Sequence, residues 1–428
     1  MNLKKTSVWC FTTYLAEGLP FAVIRLLSSI FFTDIGLKER YIGYLNFLGI
    51  PWNLKFLWAP LVDLIGTKRT WMIAVQTLIS LLIIGVSFSC FTAAHQVEVG
   101  WVLGVISVLF IVLAFLSATN DIAIDGYYME GLTDPKEQAA YTGYRVFAYR
   151  LAVILVRSGF VALAAFSAAR LGDGDVYRPW GYAFGGAALT MTLLTLFHVW
   201  HLPRFEKDRP ESGWSPAKIS RDFGQAFSTY FQQERVILMV LFIVTYKIGD
   251  EILFSMGTPF LMRELGVTKA QLSWLSGILG ALGAIVGTSV GGLWIKKKGL
   301  KKAIWPLTIL MNFNIWAYIW LAWSLPQAQT PWGLAAIAAV HTYEQAAAGL
   351  GNAVLIVYLL RTCKPEYKAS HYAVGSAIMS IVSTVFGGFG GIIVEMMGYL
   401  NMFIMAFCAS VPAMLLMIWV PIKEEQSS

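Results

Sequence analysis

The stretch Asp34-Ile35-Gly36-Leu37-Lys38-Glu39-Arg40-Tyr41-Ile42-Gly43-Tyr44-Leu45 returns about 230 residues later as Glu264-Leu265-Gly266-Val267-Thr268-Lys269-Ala270-Gln271-Leu272-Ser273-Trp274-Leu275. Each copy begins acid, aliphatic, glycine, aliphatic, and then passes through polar residues into an apolar run. Further along, the segment from Ala59 to Arg69 returns as Gly292 to Lys302, and Asp134-Pro135-Lys136-Glu137-Gln138-Ala139 aligns with Lys364-Pro365-Glu366-Tyr367-Lys368-Ala369. Three weak matches in one order and at one spacing are hard to obtain by chance. They imply two similar halves in parallel orientation, with Asp63 opposite Lys296 and Gly66 opposite Gly299.

Of the 428 residues, 57% are hydrophobic and 13% charged, against roughly 25% charged in a soluble domain. Apolar windows begin near Val8, Tyr41, Trp71, Trp101, Tyr141 and Gly181, and again near Val236, Leu272, Ala303, Trp332, His371 and Asn401. Each is close to the ~20 residues that cross a hydrocarbon core. The expected fold is all-α and integral to a membrane, with twelve transmembrane helices in two pseudo-symmetric six-helix bundles, 1–202 and 235–428. A linker at 203–234, with Pro203, Pro210 and Pro216, joins them. Its stretch from Ile219 to Phe227 suits an interfacial amphipathic helix. The net charge of +7 orients the chain. Lys4, Lys5, Lys68, Arg69, the run from Lys296 to Lys302, Arg361, Lys364, Lys368 and Lys423 fall on one side, which predicts cytoplasmic termini in the cytoplasmic (inner) membrane. That distribution argues against a nucleic-acid partner. Cys10, Cys90, Cys363 and Cys408 have no metal or disulfide spacing. The first apolar run contains Glu17 and lacks a small-residue cleavage site, so it reads as a retained helix.

The segment from Ala59 to Arg69 resembles the cytoplasmic loop pattern of the major facilitator superfamily at Asp63, Gly66, Lys68 and Arg69. Ala59 and Leu64 depart from it. The resemblance implies that Asp63 caps a helix of the other half and that a basic residue pairs with an acid on the fourth helix. Asp121 and Asp125, four apart and on one face, are the candidates. The expected latch therefore joins Asp63, Arg69 and Asp121 or Asp125 when the cavity faces outward, with Lys68 and Arg145 beside it. A closer resemblance runs along almost the whole chain. Glu17-Gly18-Leu19-Pro20, the segment from Lys55 to Asp63, Asn120-Asp121-Ile122-Ala123-Ile124-Asp125, Tyr149-Arg150-Leu151 and Tyr246-Lys247-Ile248-Gly249-Asp250 are similar to AmpG-type permeases, which import anhydromuropeptides. Acetyl-CoA transporters and siderophore permeases of the pyochelin and rhizobactin type belong to the same broad group. Typical enterobacterial AmpG proteins extend past twelve helices, and this chain stops at Ser428.

Ionisable residues inside spans provide an independent clue, because a mid-membrane charge costs about 2.5–3.5 kcal/mol and needs a partner, water or a task. The embedded cations are Arg25, Lys55, Arg145, Arg150, Arg157 and Lys247; the acids are Glu17, Asp121, Asp125, Glu130, Asp250, Glu251 and Glu344. Their distribution suggests that the first half binds anionic groups while the second includes a titrating site. Glu17, Asp250, Glu251 and Glu344 are the proton-coupling candidates. Glu17 leads because Pro20, one turn on, lets helix 1 bend, although a fixed ion pair with Arg25 or a neighbouring helix is the alternative. Lys247 and Asp250, three apart, also suit mutual neutralisation. His341 suits either a proton relay or a hydrogen-bonded structural role.

For substrate contact the candidates are Arg25, Arg150, Arg157, Tyr128, Tyr149 and Lys247. Structural pairing is the competing role for the arginines. The internal aromatics Tyr127, Tyr128, Tyr149, Tyr246 and Trp52 suit stacking on sugar rings, or lipid and core packing. Trp71, Trp101, Trp180 and Trp332 fall at span edges, where aromatic belts form. The expectation is a monomeric permease of a medium-sized anionic solute, a muropeptide driven by protons, with no cofactor. Its partners are the small-molecule substrate, protons and the lipid bilayer. A siderophore permease is the transport alternative, and a non-transporting membrane sensor the alternative from another class. No nucleotide-binding loop or metal constellation points to catalysis.

Overall fold

Long apolar segments in a bilayer must satisfy every backbone N–H and C=O internally, and helix does this within one segment. The computed structural model describes residues 3–93, 99–172, 174–205, 216–364 and 368–422, which are helical throughout apart from short connections. In chain order the helices are α1 (Thr6–Asp34), α2 (39–64), α3 (Lys68–Ala93), α4 (Val99–Gly131), α5 (Lys136–Leu171) and α6 (Tyr177–His201). After α7 (Pro216–Phe231) come α8 (Val236–Arg263), α9 (Lys269–Lys298), α10 (Leu300–Ser324) and α11 (Pro331–Thr362). The last stretch divides at Gly398, whose φ of 79° is non-helical, into α12 (368–397) and α13 (399–416).

Among the described residues, eight stretches are long and apolar enough to cross a membrane, the last of them covering both α12 and α13. The helices outside that set are α2, α8 and α11, besides the linker helix α7. In α2, α-helical and 3-10 turns alternate around Pro51 and Pro60; each proline removes a donor from the ladder. Helices α8 and α11 carry ionisable residues in mid-span. The arrangement is consistent with twelve spans plus α7.

Among the described residues, three spans contain a π-helical turn. Val23–Leu27 interrupts α1 just after Pro20, Leu155–Phe160 interrupts α5, and Leu275–Leu279 interrupts α9. Such turns widen the helix locally and recur at functional sites. Apolar periodicity does not reveal them.

The chain forms two compact units. One comprises Met1–Gly36, Leu48–Ser212 and Lys269–Gly277; the other comprises Leu37–Phe47, Gly213–Thr268 and Ile278–Ser428. The units differ from the expected 1–202 and 235–428 in two short segments, and these are drawn from the two repeat copies near Asp34 and Glu264. Helix packing joins each to its unit, with polar contacts at the seam. Within the second unit Arg40 pairs with Glu395, and Arg263 Nη1 lies 2.5 Å from Glu39 Oε1. Within the first, Lys269 Nζ lies 2.7 Å from Asp34 Oδ2, and Ser158 Oγ donates to the Ser273 carbonyl at 2.8 Å.

In the first unit α1 packs on α5, and α3 packs on α4 and α6. Trp180, Phe184, Phe31, Phe32 and Phe110 form a buried aromatic core. In the second unit α9 packs on α11 through glycines four apart, which allow close backbone approach. A Cβ on Gly287 would stand 1.9 Å from the Ala346 carbonyl oxygen, and one on Gly283 would stand 2.7 Å from that of Thr342. A carbonyl cannot rotate out of the way, so Gly287→Ala must push the helices apart. We expect a loss of about 1–3 kcal/mol, read as a lower melting temperature in detergent. Gly292→Ala on the same helix meets nothing within 4 Å and should leave melting unchanged.

Many large apolar side chains point outward, including Trp101, Trp200, Trp323 and Trp332, each about three-quarters exposed. All four sit near helix ends, as belt residues of a membrane protein do.

Candidate functional site

Tyr14 and Glu17 are three apart on α1, Asp121 and Asp125 four apart on α4, and each pair therefore shares a helical face. The first unit adds Lys55 from α2 and Arg145 from α5 to make one polar network. Lys55 Nζ pairs with Asp121 Oδ2. Arg145 Nη2 donates to Asp125 Oδ1 at 2.8 Å, and the Tyr14 hydroxyl donates to the same oxygen at 2.7 Å. The Arg145 guanidinium lies over both the Tyr14 and Tyr128 rings, 4.4 Å from each centroid. Glu17 lies among Asp121, Asp125 and Lys55, within hydrogen-bonding reach of Asp121. Its Oε2 is buried with no hydrogen-bond partner among the described residues. The network thus sets three carboxyls against two cations, with Glu17 and Asp121 the more enclosed and Lys55, Arg145 and Asp125 partly exposed; within a membrane span an unbalanced charge is costly.

An aromatic cluster adjoins this network. Phe21, one turn from Glu17, meets Trp52 edge-on at 5.2 Å and Tyr149 at 5.9 Å. Tyr149 is in turn within electrostatic reach of Glu17, Asp121, Arg150 and Arg25. Helix α5 comes this close because Gly18 carries no side chain: a Cβ there would stand 3.0 Å from the Tyr149 carbonyl oxygen and from Ala152 Cβ. Arg25 and Arg157 lie on the π-helical turns of α1 and α5, and those two turns pack on one another. Arg157 is buried, whereas Arg150 is exposed. Five substrate and coupling candidates, Glu17, Arg25, Tyr149, Arg150 and Arg157, thus come from the facing α1 and α5.

The latch is expected for an outward-facing cavity; in this structure the described gating residues have other partners. Asp121 is held by Lys55, and Asp125 by Arg145 and Tyr14. Arg69 turns to the end of α6, donating to the carbonyls of Val199 at 2.7 Å and Leu202 at 3.2 Å. A guanidinium at a helix C-terminus satisfies orphan carbonyls and is favoured by the dipole, so Arg69 has a stable seat away from α4. Lys68 donates to the Val62 carbonyl at 3.0 Å, its stem packed on Gly126. The side chain of Asp63 lies outside the described ones. Tyr128, expected at the substrate, is buried; its hydroxyl donates to the Gln138 carbonyl at 2.5 Å and its ring supports Arg145.

The second unit holds two smaller clusters. Lys247 Nζ lies 2.5 Å from Asp250 Oδ2 and 3.7 Å from Glu251 Oε1, and the Lys247 and Asp250 side chains are each 7% exposed. Lys247 is thereby committed to carboxylates of its own helix. Glu344 lies 3.3 Å from His341 Nδ1 and accepts from Gln345 Nε2 at 2.8 Å. The Tyr318 hydroxyl is 3.0 Å from the same His341 nitrogen. Glu344 Oε1 is buried and without a hydrogen-bond partner among the described residues.

Sequence reading missed Tyr14 and the polar chain behind Asp121. His198 Nδ1 lies 2.7 Å from Gln76 Oε1; Gln76 donates to Asn120 at 3.2 Å, and Asn120 donates to the Ala16 carbonyl at 3.1 Å. This chain ties α6, α3, α4 and α1 together beside Glu17 and Asp121. Its one sequence signal was Asn120 next to Asp121; nothing local marks Gln76 or His198.

Comparison with known proteins identifies the family and the fold. The model of the Major Facilitator Superfamily matches residues 10–342. An uncharacterized protein of Haemophilus influenzae is 29% identical over 99% of this chain and 96% of its own. The putative transporter AmpG 4 of Rickettsia conorii is 25% identical over 96% and 95%. The anhydromuropeptide permease of Escherichia coli K12 is 26% identical over 94% of this chain and 77% of that protein. Among solved structures, a mutant of the nucleoside transporter NupG aligns with TM-score 0.70 at 15% identity, covering 97% of this chain and 98% of that one. The xylose transporter XylE of Escherichia coli aligns with TM-score 0.70 at 13% identity, covering 98% and 96%; at such identity these two establish the fold. The chain therefore belongs to the Major Facilitator Superfamily, as a multi-pass membrane transporter and not an enzyme.

Proposed function

We propose that this transporter imports an anionic, sugar-containing cell-wall fragment, an anhydromuropeptide, across the cytoplasmic membrane by proton symport, with both termini cytoplasmic. The observation that carries this reading is the meeting of two chemistries at Tyr149. Its ring belongs to the Phe21–Trp52 cluster, and Arg25, Arg150, Glu17 and Asp121 lie within electrostatic reach of it. Aromatic faces suit sugar rings, and guanidinium groups suit carboxylates through paired hydrogen bonds. Similarity to the anhydromuropeptide permease supports the same solute.

Proton coupling rests on the charge count. Three carboxyls facing Lys55 and Arg145 balance when one proton sits among them. A proton shared between Glu17 and its neighbouring carboxyls would provide that balance. Its departure would leave two carboxylates competing for Lys55, an electrostatic change able to shift a conformational equilibrium. Domains 1–202 and 235–428 would act as the moving parts, the linker 203–234 joining them.

The test is uptake of labelled anhydromuropeptide by membrane vesicles under an inward proton gradient. We expect accumulation that collapses with a protonophore. Trp52→Ala should raise the half-saturating concentration roughly tenfold, equivalent to about 1.4 kcal/mol. Uptake of a ferric siderophore in place of the muropeptide would overturn the substrate, and binding without uptake would indicate a sensor.

A further inference from the structure

Three helix ends of the second unit surround a cavity of about 280 Å³ that the transport site does not use. It lies where α8 begins, α11 ends and the chain leaves α13. Its polar lining is Gln232, Gln233, Arg235, Thr362 and Lys364, with Glu234 the one acid. The volume is just below the 300–1,000 Å³ typical of drug-sized ligands, so the cavity suits a small headgroup and is too small for a disaccharide peptide. Arg235 adopts φ +58°, a left-handed conformation that a side chain other than glycine, asparagine or aspartate seldom takes. Glycine would make that turn without strain, so the guanidinium is retained there at a conformational cost, a pattern associated with function. The turn also places Arg235 at the start of α8, where the helix dipole favours an anion, the first N–H, of Val236, being taken by the Gln233 carbonyl at 3.2 Å. Glu234 offsets the guanidinium only weakly: the two form a solvent-screened ion pair at 3.8 Å, with the Glu234 side chain 92% exposed.

A second observation identifies the surroundings. Helix α7 ends one residue before Gln232, and Phe227 and Phe231 in its last two turns lie 4.7 Å apart, both exposed. Tyr230 between them is buried, its ring set edge-on to His371 at 5.4 Å, while Thr229 Oγ1 lies 3.0 Å from His371 Nε2. Helix α7 is therefore fastened to α12 by one side and presents a phenylalanine pair on another. Exposed aromatic rings beside paired cations are the features of a surface seated at the boundary of a leaflet.

We infer that this cavity binds the phosphate-bearing headgroup of an anionic phospholipid, held by Arg235 and Lys364, while Phe227 and Phe231 rest on its acyl chains. The rival role for the two cations is simple capping, since a lysine after α11 is favoured by the helix dipole. The two roles separate by lipid dependence. Native mass spectrometry of the full chain, extracted from mixed bilayers, should show phosphatidylglycerol retained over phosphatidylcholine. Combining Arg235→Gly with Lys364→Gln should reduce that retention about tenfold. The glycine suits the left-handed backbone, so folding is preserved, and an unchanged melting temperature in lipid-free detergent verifies this. Phe227→Ser with Phe231→Ser should weaken retention of phosphatidylglycerol and leave binding of soluble glycerol phosphate as it was. Equal retention of both lipids, or retention unaffected by the paired variant, overturns the site. Glycerol phosphate raising the melting temperature as much as phosphatidylglycerol does would reassign it to a soluble phosphate.

Discussion

Glu17→Gln is expected to abolish accumulation driven by a pH gradient while leaving ligand binding and counterflow exchange largely intact. The glutamine keeps the size of the side chain and its contacts with α4 but cannot take up or release a proton. With Glu17 neutral, Asp121 keeps Lys55 and Asp125 keeps Arg145 and Tyr14, so the four remaining charges balance permanently. The resulting protein should equilibrate substrate across the membrane and go no further. In vesicles the internal-to-external ratio should fall from many-fold to about one, while exchange of external label for internal substrate continues. Accumulation by Glu17→Gln equal to the unmutated protein would move coupling to Asp250, Glu251 or Glu344. Indifference of the unmutated protein to the gradient would remove proton symport altogether.

Lys247→Met should be among the most destabilising single substitutions in the second unit. Lys247 is the cation that Asp250 and Glu251 share in a nearly closed environment. Removing one member of a buried ion pair costs about 3–5 kcal/mol, because the remaining charge is left desolvated. Lys247→Met combined with Asp250→Leu should recover most of that loss, since an apolar pair of similar volume needs no solvation; Glu251, being more exposed, tolerates the change. Melting temperatures in detergent report the comparison. A double variant as unstable as the single would mean that Glu251 does not tolerate the loss of Lys247. A double variant that is stable but no longer transports would place the pair in the transport cycle.

How much of this could be read from the chain follows from which signals are local. Twelve apolar windows of spanning length, the register of the repeats and the bias of lysine and arginine all act within a segment of ~20 residues or through a simple count. Bilayer physics turns them directly into helices. The embedded charges were legible for the same reason: a glutamate one turn before a proline in an apolar run is conspicuous wherever the helix lies. Pairing, by contrast, is long-range. Lys55 and Asp121 are 66 residues apart, Tyr14 and Asp125 111 apart, and Gln76 and His198 122 apart. Nothing in their own segments selects one partner over another.

Arg69 shows the limit most clearly. Loop pattern and charge alone place it opposite an acid of α4, but α6 ends nearby with unpaired carbonyls, and the guanidinium goes to them. The π-helical turns beneath Arg25 and Arg157 likewise depend on how α1 and α5 pack, since composition does not mark an extra residue in a helical turn. What the sequence by itself determined was the membrane class, the helices, the repeat and the identity of the charged residues, because hydrophobic length and charge count need no partner to act. Only the tertiary structure decided which acid meets which base across different helices, that Tyr14 belongs to the network and Tyr128 is taken up in supporting Arg145. Those choices follow from packing, which sets which polar atoms come within ~3 Å of one another in a medium that leaves them no water.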